Sequence, residues 1–250
     1  MAKKAAKIVH DEWDCYVVDG DEGPIFISFD VEAARKDLRK TLGHCARIII
    51  PVKQPNRNGG PTGAESEKLW AMEESFCDTL ARHGVSCRLV GRLTHKGNRE
   101  IVFQLDDWDS FRPPVGSWMS EETDYEVDVS EHEGWDFFDT CIRPTPEGWL
   151  FIADQSVVEN LRKAGSNMEK KHSLEFVFLG ESKGLRKAIE ALTERGYQPL
   201  GEPDVKSGQL VMVKRMKPDV HDIFAESVAN KQLAESLNIT YDGWGCAVVK

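Results

Sequence analysis

Three local patterns in this 250-residue chain carry residue types that could do chemistry. The first is a glycine-rich loop, Asn58-Gly-Gly-Pro-Thr-Gly-Ala-Glu65, set between a strand-like run and a helix-like one. Such a loop could cradle a phosphate, because the first N–H groups of a helix have no partner within the helix. It lacks the GxxxxGKS or GxxxxGKT of a phosphate loop, however, and Glu65 and Glu67 put negative charge where the anion would sit. Thr62 and Glu65 instead have the spacing of a capping box, which would satisfy those donors internally. The second pattern is histidine with cysteine. His44-Cys45 are adjacent and would point to opposite faces of a strand, while His83 and Cys87 straddle Gly84. There is no HExxH, no CxxC and no DxDxDG loop, so no metal and no cofactor are expected. The acid pairs Asp106-Asp107 and Glu121-Glu122 are sequence neighbours, whereas catalytic carboxylates converge from separate elements. No catalytic residue is assigned. The third and sharpest pattern is Thr240-Tyr-Asp-Gly-Trp-Gly-Cys246, with two glycines bracketing a tryptophan. It reads either as a turn whose Trp244 plugs a sheet edge, or as a corner where Tyr241, Asp242 and Trp244 anchor a partner, Tyr and Trp being enriched at interface hot spots.

The elements that would position these residues follow from periodicity and turn chemistry. Trp13–Val18 and Pro24–Phe29 flank an Asp/Gly turn as a hairpin, and 31–41 reads as a helix that stops at Gly43. Ala46–Val52 is a continuous aliphatic run, the mark of a strand buried on both faces. A helix follows over 65–83, with Leu69, Met72, Phe76 and Leu80 at helical spacing, then strands over 85–94 and 100–105. A polar, proline-containing segment leads to a last strand near Tyr125–Val129. The second half repeats the plan: an introductory helix over 154–161, a strand over 173–179, and a helix over 181–195 with Leu185, Ala188, Ile189 and Leu192 on one stripe. Strands over 196–200 and 209–214, a helix from Pro218 to Leu237 and a closing strand over 240–249 complete it. The expected fold is therefore α+β: two tandem ferredoxin-like (βαββαβ) domains, each with an antiparallel sheet covered by helices on one face, the first extended by an N-terminal hairpin and helix.

Charge sets the boundary and the class of partner. The chain carries 42 acids and 32 bases, a net charge of −10. Residues 100–139 alone carry thirteen acids against one base, Arg112, so the rest of the chain is close to neutral. The boundary is placed there, giving domains 1–130 and 131–250. Part of such a run is a solvated face; the functional reading is a negative surface for a basic partner, with Glu131, Glu133, Asp136 and Asp139 as candidate contacts beside Trp135, Phe137 and Phe138. An acidic chain is poorly suited to bind nucleic-acid phosphate. Phe176 and Phe178 alternate onto one face as RNA-reading aromatics would, but their neighbouring strand supplies Met212 and Lys214, so they are expected to be core and no direct nucleic-acid contact is expected. The six cysteines are scattered, Met1–Lys7 is followed by no apolar stretch, and no run is long enough for a membrane span, so a soluble cytoplasmic protein with free thiols is expected.

Several residues resemble known families. Residues 131–250 resemble the regulator of ribonuclease E activity B family, through Asp136-Phe137-Phe138-Asp139, Pro144-Thr145, Leu174–Phe178, Gly196-Tyr197 and above all Tyr241-Asp242-Gly243-Trp244-Gly245. The first half is similar to an uncharacterised domain family, through Trp13, Asp19-Gly20, Asn58-Gly59, Pro61, Glu65 and Val90-Gly91-Arg92. The resemblance implies a ferredoxin-like regulator that docks on ribonuclease E and catalyses nothing. The expected function is thus a non-enzymatic regulator or adaptor binding a basic protein segment, with an enzyme or small-ligand binder sited between the two domains as the alternative.

Overall fold

The aliphatic run read as a doubly buried strand is the spine of the first sheet. In the computed structural model, which describes residues 8–9, 12–35, 39–121 and 124–250, it forms β3 (His44–Pro51) and pairs with strands on both sides. Around it lie the hairpin β1 (Trp13–Gly20) and β2 (Gly23–Asp30), α1 (Val31–Arg35), α2 (Gly63–Arg82), β4 (Cys87–His95), β5 (Asn98–Leu105), α3 (Trp108–Glu121) and β6 (Asp128–Glu133). The six strands run in the order β1-β2-β4-β5-β3-β6, with every ladder antiparallel. One face is covered by α2 and α3. Phe76 of α2 meets Phe103 at 5.4 Å, Phe111 at 6.2 Å and Trp118 at 4.8 Å between ring centres, in a core with Leu69, Leu80, Ile48 and Ile101. Burying each of these large side chains stabilises the fold by about 2–3 kcal/mol.

Three expectations need correction in this unit. The proline-containing segment, to which the sequence assigns no element, forms α3, which starts behind Asp107, whose carboxylate accepts from the Ser110 N–H at 2.8 Å. The expected helix over 31–41 is described only as α1, residues 36–38 lying outside the described residues. The sheet, moreover, is covered on both faces. Trp135 and Phe138 are buried at 5% and 1% exposure, and the Trp135 indole N–H donates to the Leu42 carbonyl at 2.6 Å. A short π-helical turn, Phe138–Ile142, lies on the face away from α2. There Tyr16 Oη donates to the Ile142 carbonyl at 3.0 Å, and a Cβ on Gly91 would stand 2.7 Å from Ile142 Cγ2. Gly91 is bare so that this turn can seat on β4. Residues up to 144 are therefore part of the first unit's packing, and the chain divides into Met1–Pro144 and Thr145–Lys250 instead of at 130/131.

The second unit comprises α4 (Pro146–Lys163), β7 (His172–Leu179), α5 (Ser182–Glu194), β8 (Gln198–Pro199), β9 (Gln209–Met216), α6 (Val220–Ser236) and β10 (Thr240–Gly245). Its antiparallel sheet has the order β10-β7-β9-β8. Thr145 caps α4 by accepting from the Gly148 N–H at 3.0 Å, and Asp219 caps α6 at 2.9 and 3.2 Å. The α5 stripe read from spacing packs as expected: Leu185, Ala188 and Leu192 are fully buried against Leu174, Phe176, Phe178 and Met212. The molecule is thus mixed α+β with two antiparallel sheets. No helix among the described residues is long and apolar enough to cross a membrane.

Candidate functional site

The Tyr-Asp-Gly-Trp corner is built by a fault in the strand ladder. Side chains of a strand alternate between faces, so Tyr241 and Trp244, three residues apart, should point to opposite sides. In β10 Tyr241 pairs with Phe178, Gly243 with Val177 and Trp244 with Phe176; Asp242 is an extra residue with no partner, a β-bulge. The bulge turns both aromatic rings onto the helix-covered face, and Gly243 supplies the φ of +100° that it needs. Tyr241 and Trp244 are therefore half-buried side chains packed on the core, and Asp242 alone of the three is exposed.

Their polar ends converge on a residue that the sequence reading did not single out. Asp154 of α4 is 3% exposed, and its Oδ1 accepts from the Trp244 indole N–H at 2.7 Å and from Ser227 Oγ at 3.0 Å. Ser227 also lies 3.2 Å from Tyr241 Oη. Asp154 Oδ2 is buried with no hydrogen-bond partner among the described residues. Burial pushes the Asp154 carboxyl up to about 6, with the Trp244 and Ser227 bonds pulling the other way. Beside it on α6, Glu226 accepts from Lys214 at 2.5 Å, Arg195 at 2.8 Å and Tyr197 at 2.6 Å. Burial raises the Glu226 pKa, but the bonds from Lys214 and Tyr197 outweigh it and hold the carboxyl below its ordinary range. A signal for Asp154 does exist in the sequence: it sits on the apolar stripe of its helix, four residues before Val158 and seven before Leu161.

The acidic candidates lie on the first unit. Glu131 and Glu133 are on β6, an edge strand; Glu131 receives a bidentate pair from Arg112 at 2.8 and 2.6 Å, and Glu133 contacts His44 at 2.6 Å and the Trp108 indole N–H at 3.3 Å. Asp139 is half-buried and bonded to Arg39 at 2.5 Å. Asp136 is exposed. Phe137 stacks on His132 and takes the Arg47 guanidinium 4.2 Å above its ring. The proposed aromatic-studded acidic patch is therefore corrected: Trp135 and Phe138 are core, and the exposed part is acid. Asp106, Asp107, Asp109, Glu121, Asp124, Glu126, Asp128, Glu131, Glu133 and Asp136 are all exposed; Glu122 lies outside the described residues.

The remaining candidates resolve simply. No capping box forms, because Glu65 turns inward to accept from the Lys53 N–H at 2.7 Å and Tyr125 Oη at 3.1 Å, leaving Thr62 Oγ1 buried without a partner among the described residues. The six cysteines are free, and burial raises the Cys45, Cys77 and Cys87 thiols to about 12, which makes them unreactive. Among the described residues no group of three or more His, Cys, Asp or Glu is placed to hold a metal ion. Phe176 and Phe178 are fully buried.

These features define a protein of two α+β units, the first with an acidic surface, the second with a bulged terminal strand locked onto a buried aspartate. The chain belongs to the family of unknown function DUF695, whose model matches residues 11–141. Residues 151–246 match the family described as Regulator of ribonuclease activity B. None of the curated proteins matches the chain. A solved structure titled as an unknown protein from Galdieria sulphuraria is similar at 13% identity, covering 83% of this chain and 99% of that one, with a TM-score of 0.21.

Proposed function

We propose that this chain is a non-enzymatic regulator that works by binding a protein partner with a basic segment, ribonuclease E being the partner that the second unit's family suggests. The observation that carries the reading is the match of residues 151–246 to Regulator of ribonuclease activity B. The exposed acids of the first unit support it, since a dense negative surface steers and holds a positively charged segment. We assign both units to the ferredoxin-like plan. In support, the strands β3 to β6 and β7 to β10 each take the spatial order fourth-first-third-second, with helices after the first and third strands of each set. The free thiols fit a reducing cytoplasm.

The test is direct binding of the full chain to purified ribonuclease E, with salt raised from about 50 to 300 mM. Affinity is expected to fall as salt rises, and to fall roughly tenfold in a variant carrying Glu126→Gln, Asp128→Asn and Asp136→Asn. Salt-independent binding, or full affinity in that variant, removes the acidic surface from the reading; no binding at all removes ribonuclease E.

A further inference from the structure

The first unit buries a cation that has no ion pair among the described residues. On the α2-covered face, Arg92 of β4 and Arg99 of β5 are diagonal neighbours, Arg92 pairing with Ile101 and Arg99 with Thr94. Arg92 is fully accounted for. It donates to both carboxylate oxygens of Glu73 at 2.7 and 2.6 Å, and its guanidinium lies 3.8 Å from the Trp13 ring centre and 4.8 Å from that of Trp70. Arg99 has only the Trp70 ring, 5.2 Å away. It is 9% exposed, makes no ion pair or side-chain hydrogen bond among the described residues, and its Nε is buried without a partner. Burial lowers its pKa, Glu73 working against that and Arg92 adding to it.

A guanidinium has five donors in a fixed fork and stays charged, so it cannot escape burial by losing its proton. Leaving its Nε buried without an acceptor is unfavourable, a penalty that an incoming anion relieves. Among the described residues the charges acting there are two guanidinium groups against one carboxylate, a surplus of one. That surplus matches a monoanion; a phosphate dianion would crowd Glu73. Trp70 is 46% exposed, so one wall of the cluster is open to solvent and presents an indole. We propose that Arg99 anchors a binding site for a small carboxylate, which it holds through its planar fork while Trp70 packs on the apolar part of the ligand.

The test uses benzoate and inorganic phosphate as probes on the full chain at constant ionic strength, read by thermal unfolding. Benzoate at ten times its Kd is expected to raise the first unit's melting temperature by about 4 °C. The rise should vanish in Arg99→Met, whose ligand-free melting temperature should equal or exceed that of the parent, because an unpaired buried charge has been removed. Trp70→Ala, at a half-exposed position, should fold and weaken the benzoate response severalfold. The proposal is overturned by an unchanged response in either variant, by no response to benzoate in the parent, or by a larger response to phosphate.

Discussion

The two units treat most of their buried charge differently. Of four sunken carboxylates among its described residues the first pairs three with an arginine: Asp30 with Arg88 at 2.6 Å, Glu73 with Arg92 at 2.6 Å and Glu100 with Arg47 at 2.5 Å. The fourth, Glu65, is held by the Lys53 N–H and Tyr125 Oη. The unit then has one guanidinium left over, Arg99. The second unit sinks Asp154 with no cation in contact, held by a serine and an indole. An arginine cannot shed its charge, whereas a carboxyl can take up a proton, so the first unit answers burial mainly with counter-ions and Asp154 answers it with titration.

The largest effect should come from the ion pairs. Glu73→Gln leaves Arg92 unneutralised next to Arg99 and should destabilise the first unit by about 3–5 kcal/mol in urea unfolding, with Glu73→Leu/Arg92→Met recovering most of it. A loss below about 1 kcal/mol would erase the contrast between the units.

Asp154 should give the next largest effect, and its sign follows from proton binding. With its pKa raised to about 6 in the fold, against an ordinary value near 3.8, the native state holds a proton that the unfolded chain has released between those pH values. Its contribution to stability is full below the unfolded pKa and is lost as pH rises through 6. Asp154→Asn keeps the acceptor for Trp244 and Ser227 but cannot ionise. Relative to that variant, the parent's second unit should lose on the order of 2 kcal/mol between pH 4 and 7. Urea midpoints at the two pH values measure it, and parallel pH profiles would contradict the assignment.

The smallest effect is expected on the surface. The Arg112–Glu131 pair has good bidentate geometry but both partners are solvated, so Glu131→Gln should leave the melting temperature unchanged.

Much of the fold was legible in the sequence, because most elements have a clear period. The α2 and α5 stripes and the β3 run all lie where spacing puts them. What escaped was set by tertiary contact. Pro113 and Pro114 hid α3, and the acids around Trp135 and Phe138 disguised a core segment as linker, which moved the boundary. Of the candidate site, Tyr241 and Trp244 stood out by type, but their direction did not, since alternation assumes an unbroken ladder. Arg92, Arg99, Trp13 and Trp70 come from two strands of one hairpin, a helix and a distant edge strand, so no local pattern unites them.

The bulge in β10 has one more consequence. Because Asp242 alone is unmatched, removing it would leave Tyr, Gly and Trp opposite the same three residues of β7, with both rings still facing inward. The tetrapeptide is in effect a three-residue lock with a spare acidic position threaded through it. That position can be exchanged, lengthened or labelled while the hydrogen bond from Trp244 to Asp154 stays in place.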